Sequence, residues 1–144
     1  MRIHLIVAMP VLTMLTACAS DKKIPPPPQG TVIDVSQPAD LSRVRELLDA
    51  IPQKQGYAKK VVAYRSSEDC APVARFYGDF MRGTHWTELS AGDNSPADAS
   101  AFTQSWKYMS RRAYIVGSTP PGGSGCTVMT AIYDKAHRNR YESQ

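Results

Sequence analysis

The 144-residue chain reads as an α+β domain, a small antiparallel sheet of about four to five strands with two helices packed on one face. Three observations predict this. Two stretches carry apolar residues at helical spacing, several others are rich in β-branched and aromatic residues, and a Pro120-Pro121-Gly122-Gly123 turn separates the last two β-rich stretches. At 42% apolar, 21% charged and 8% aromatic, the composition excludes a fully disordered chain, and the length excludes two full-size domains.

The elements follow in order. In residues 40–51, Leu41, Val44, Leu47, Leu48 and Ile51 recur at helical spacing and Pro52 closes the run. Ser36 and Pro38 signal its start, and Arg43, Arg45, Glu46 and Asp49 form its polar face. Residues 59–65, with Val61, Val62 and Tyr64, read as a strand. A second helix follows, with Ser67 or Asp69 as cap, Pro72 in the first turn, Val73, Phe76, Tyr77 and Phe80 on one stripe, and Gly83 at its end.

Residues 85–89 form a short strand, and residues 90–100 are polar and turn-rich. Residues 101–109, 113–117 and 126–133 are three further strands, the last two joined as a hairpin. In the last strand both faces are small or apolar, which suits a central position in the sheet with the helices over one side. No internal repeat is visible.

The first residues are of another kind. Met1-Arg2 is a minimal positive start, residues 3–15 are apolar apart from His4 and Thr13, and the small residues Thr16 and Ala17 precede Cys18. This is the three-part pattern of a secretory signal over residues 1–17. The apolar run is about 13 residues, short of a bilayer span, and Pro10 interrupts it.

Leu15-Thr16-Ala17-Cys18 resembles the lipobox of bacterial lipoproteins. The resemblance covers residues 1–18 and implies diacylglycerol transfer to the Cys18 thiol, cleavage before Cys18 and acylation of the new amino group. Stable anchoring requires two lipid signals, which such a terminus supplies. In a cell with two membranes, Ala19 after the cysteine, where Asp would favour the inner membrane, implies the outer membrane facing the periplasm.

Residues 18–35 read as a tether: Asp21, Lys22 and Lys23 precede Pro25-Pro26-Pro27-Pro28, with no apolar periodicity. Extended as polyproline II at about 3.1 Å per residue, residues 19–35 would hold residues 36–135, the single domain, up to roughly 50 Å from a membrane. Residues 136–144 form a basic tail with Arg138 and Arg140, solvated or in contact with anionic headgroups or an acidic partner. Loss of residues 1–17 removes Arg2 and no acid, so the formal charge falls from +4 to +3, a mild balance that gives no reason to expect nucleic acid.

With Cys18 acylated, Cys70 and Cys126 remain as two thiols in an oxidising compartment, and a disulfide between them is expected. The alternative is a reactive Cys70 thiolate at a helix N-terminus, disfavoured by Glu68, Asp69 and the lack of a C-x-x-C pair.

No catalytic residue, metal or cofactor is expected. The mature chain has only His85 and His137, neither in a nucleophile motif, and too few ligands for zinc. The Pro120 to Gly125 stretch lacks the phosphate-loop pattern. Glu68 and Asp69 suit the first turn of a helix through its dipole. Trp86, Trp106, Tyr108 and Tyr114 are candidates for an aromatic binding surface or for core packing.

The expected function is therefore a non-enzymatic envelope lipoprotein that tethers a small periplasmic binding or scaffold domain to the membrane, with another envelope protein or cell-wall component as its partner. Two alternatives stand beside it, a periplasmic thiol-dependent enzyme or redox factor using Cys70, and a cell-wall or polyanion-binding module using Arg138 and Arg140.

Overall fold

The computed structural model describes residues 23–51, 57–89 and 100–134. Six strands form one sheet in the order β1-β2-β6-β5-β4-β3, where β1 is Gly30–Val32, β2 Tyr57–Ser66, β3 Thr87–Glu88, β4 Ala101–Tyr108, β5 Arg111–Ser118 and β6 Cys126–Asp134. Every neighbouring pair is antiparallel. The α+β class holds, with six strands in place of four to five. The extra strand is β1, three residues inside the stretch read as a tether. It was hidden because three residues show no alternation.

Helices α1 (Pro38–Asp49) and α2 (Cys70–Arg82) lie on opposite faces, which corrects the expectation of one shared face. The reason lies in the pleat. Successive side chains of a strand point to opposite sides. On β5, Ala113 and Ile115 join α2, while Tyr114 and Val116 join α1; on β6, Val128 lies with α2, and Met129, Ala131 and Tyr133 with α1. Strands apolar on both faces need cover on both, and one helix goes to each side.

The helices form where their sequences allow. Pro38 opens α1 where its missing N–H is not needed, and Val44 and Leu47 are its buried residues. In α2 the buried stripe is Cys70, Val73, Ala74, Tyr77, Gly78 and Met81, rotated from the expected one so that Phe76 and Phe80 are only partly buried at its border. Gly83 ends α2, its N–H bonded to the Asp79 and Phe80 carbonyls. Arg43 fixes α1 to the end of β5 through the Ser118 hydroxyl and the Thr119 carbonyl.

The segment before β1 is packed against the domain from residue 24 on. Ile24 is 5% exposed and belongs to the core under α2. The Tyr77 hydroxyl donates to the Pro25 carbonyl, the Ser66 hydroxyl donates to the Pro28 carbonyl, and Gly30 N–H donates to the Pro27 carbonyl. That last bond closes a turn with Gln29 at φ 51°, so residues 24–27 run opposite to β1. The chain then passes around the β2 edge and buries Ile33 in the core under α1. Residues 24–33 are thus a strap joining both cores. The earlier tether residues, 18–22, lie outside the described residues, as do the signal stretch and the basic tail.

Candidate functional site

Cys70 begins α2 and Cys126 begins β6, and the two are joined as a disulfide with Cα atoms 4.9 Å apart. Both are fully buried. The bond ties the helix to a central strand at one end of the sheet, beside the Gly30↔Ser66 and Ser66↔Cys126 pairings. Gly125, immediately before Cys126, has φ +79° and lies against the Ser66 carbonyl, an approach that leaves no room for a Cβ. A buried disulfide has no thiolate to act as nucleophile or metal ligand. Among the described residues no group of three His, Cys, Asp or Glu side chains is placed to hold a metal ion.

The aromatic candidates separate. Trp106 is 1% exposed, under α2, so it is a core residue and not part of a binding surface. Its indole N–H finds no acceptor among the described residues. Two positions away on the same face of β4, Gln104 donates its side-chain N–H to the Ala74 carbonyl of α2 at 2.7 Å. Tyr114 is also buried, edge-on to Tyr133 with ring centres 5.7 Å apart. Period two places residues 104, 106 and 108 on one face, and the position of α2 decides which of them are covered.

Trp86 and Tyr108 remain partly exposed and come together at the opposite end of the sheet from the disulfide. Their ring centres are 5.9 Å apart, and His85, exposed, lies 6.1 Å from Tyr108. The β4–β5 turn beside them carries Met109 at φ 53° with 76% of its surface exposed. On the other face, Lys107 and Arg112 sit directly across from each other in the β4–β5 ladder. Met109, Lys107 and Arg112 were missed from sequence. The available signal was a Met-Ser turn without Gly or Asn between a strand ending Lys107-Tyr108 and one starting Arg111-Arg112.

The charges at this end are unevenly matched. Arg111 stands 3.9 Å from Asp134, and Arg82 is 3.4 Å from Asp79 and 3.8 Å from Glu88. Lys107 and Arg112 engage no carboxylate among the described residues, and the Arg112 guanidinium donates to the Arg111 carbonyl at 3.5 Å. Toward the disulfide end the partly buried Arg43 pairs with Glu46, and the exposed Arg65 pairs with Asp40. Burial pushes the Tyr77 hydroxyl well above the usual tyrosine range, with Tyr64 adding to it, and burial raises Tyr64 as well.

Cys18, Arg138 and Arg140 lie outside the described residues. No helix among the described residues is long and apolar enough to cross a membrane. Comparison with models of protein families, with curated proteins and with solved structures found no match.

Proposed function

We propose that this protein is a non-enzymatic bacterial envelope lipoprotein, held to the membrane by lipid on Cys18 and presenting a small disulfide-closed domain to another envelope protein or cell-wall component. In a cell with two membranes it sits on the outer one, facing the periplasm. The observation that carries this reading is the tetrapeptide Leu15-Thr16-Ala17-Cys18 at the end of an apolar run that starts near the N-terminus. The Cys70–Cys126 bond supports it, because such bonds persist in oxidising compartments. The same bond removes the free thiol that a reactive Cys70 requires.

The strap changes how a lipid would hold the domain. Lys23 precedes the buried Ile24 and is five residues from Cys18, so the chain between them reaches at most about 18 Å, against roughly 50 Å for an extended tether. Such a short link keeps the domain against the bilayer, where it raises the local concentration of the domain for its partner.

The test is the intact mass of the protein purified from its native membrane, with thiol alkylation before reduction. The expected species starts at Cys18, carries acyl chains and has no alkylatable thiol. A lipid-free chain, or a Cys18→Ser variant that stays in the membrane fraction after a salt wash, would overturn the anchor.

A further inference from the structure

We infer that the β4–β5 turn end of the sheet is a second membrane contact, a surface that binds anionic phospholipid headgroups through Lys107 and Arg112 and sets Met109 into the interface. The inference deepens the lipoprotein reading and rests on it for the choice of a membrane as the partner. Its charge and geometry stand on separate observations.

The first observation is direction. β1 pairs Gly30 with Ser66 and Val32 with Tyr64, so it runs from the disulfide end toward the Met109 end. The Pro27–Gly30 turn reverses the chain, so residues 24–27 come from the Met109 side. Cys18 stands five residues before Lys23, so a lipid on it lies within about 18 Å of the point where the chain enters from that side. β6 also finishes at this end, where Asp134 pairs with Tyr57 and Arg111. The sequence continues from it with Lys135, His137, Arg138 and Arg140.

The second observation is that this end carries two features that cost stability in water. Lys107 and Arg112 are like charges directly opposite in an antiparallel ladder, an arrangement that repels, and no described carboxylate offsets them. Met109 holds a left-handed conformation that favours Gly or Asn, and it exposes a large apolar side chain at the tip of the turn. An anionic bilayer surface relieves both, since phosphates neutralise the two cations and the interface takes up the methionine. Trp86 and Tyr108, half-buried on the opposite face of the sheet at the same end, are of the two residue types enriched at membrane interfaces. Toward the disulfide end Arg43 and Arg65 are each paired with an acid.

The experiment uses the full mature chain as Cys18→Ser, which carries no lipid, and measures cosedimentation with vesicles. The vesicles are roughly one-third phosphatidylglycerol in phosphatidylcholine, or phosphatidylcholine alone. Binding is expected to the anionic vesicles only and to be lost in high salt. Each charge removed by Lys107→Gln or Arg112→Gln should weaken partitioning about fivefold, Met109→Ser should weaken it further, and Arg65→Gln at the opposite end should leave it unchanged.

Equal binding to neutral vesicles, no binding to anionic ones, or an equal loss in Arg65→Gln would overturn the proposal. So would a loss produced only by Arg138→Gln and Arg140→Gln, which would assign the contact to the tail. Binding to an acidic polypeptide but to no vesicle would overturn it in favour of a protein partner. Because the assayed chain has no lipid, these outcomes are independent of the mass measurement that tests acylation of Cys18.

Discussion

The Tyr77 hydroxyl donates a 3.0 Å hydrogen bond to the Pro25 carbonyl, joining a buried position of α2 to a segment 52 residues earlier in the chain. Beside it Ile24 fills the core, so a proline run that looks like a spacer is the entry to the packed domain. Ile24→Ala should cost about 2–4 kcal/mol, read as a lower denaturation midpoint in urea with little change in slope. A cost under about 0.5 kcal/mol would show that the strap is not packed in solution.

The same tyrosine makes the fold sensitive to alkali. In the unfolded chain Tyr64 and Tyr77 ionise near pH 10, whereas burial keeps them protonated in the fold. Above that pH the unfolded state binds fewer protons than the native one, so stability falls as pH rises. Stability should be level up to about pH 9 and then decline, by up to about 1.4 kcal/mol per pH unit from Tyr77 alone. Tyr77→Phe should lose about 1 kcal/mol at neutral pH and show a shallower alkaline decline. Denaturation midpoints across pH, with tyrosinate absorbance, check both.

The Cys70–Cys126 bond closes a loop with a sequence separation of 56, which the chain-entropy relation values at about 4 kcal/mol. Replacing both cysteines by alanine should lower the melting temperature by about 10 °C or more. An unchanged melting temperature would mean that the bond adds nothing to the folded state.

Phe102 and Gly117 face each other across β4 and β5, and the Phe102 ring occupies the space a Cβ on Gly117 would take. Phe102 is 1% exposed and has no room to swing away. Gly117→Ala should therefore cost about 1–3 kcal/mol despite its better strand propensity. Thermal melts of this variant beside Gly122→Ala, where φ is +66° and nothing lies nearby, separate crowding from backbone strain.

Most elements were legible in the sequence because each is a local pattern. The apolar spacing of Val44, Leu47 and Ile51 marks α1, the small and apolar β-rich run of residues 126–133 marks β6, and Gly83 marks the end of α2. The pairing of Cys70 with Cys126 followed from having two cysteines once Cys18 was set aside. β1 was not legible, since a three-residue strand is defined by its partner β2 and by no periodicity of its own.

The candidate surface was legible only in part. Trp86 and Tyr108 were among the aromatic residues singled out, but nothing local distinguishes them from Trp106, which shares a strand face with Tyr108. Exposure depends on where α2 stops. α2 ends at Arg82, and the chain beyond it leaves Trp86 and Tyr108 at the border of the core, while Trp106 lies beneath the helix. Lys107 and Arg112 are five positions apart in sequence and become opposed only through the ladder register.

By itself the sequence determined most element types, the apolar N-terminal run that ends before Cys18 and the presence of Cys70 and Cys126, because each depends on residue identity and short-range spacing. The tertiary structure alone decided that the helices take opposite faces, that Ile24 and the proline run belong to the domain, and that Lys107 and Arg112 oppose each other beside Met109. Those outcomes depend on which faces must be covered and on contacts between residues far apart in the chain, and no local pattern encodes either.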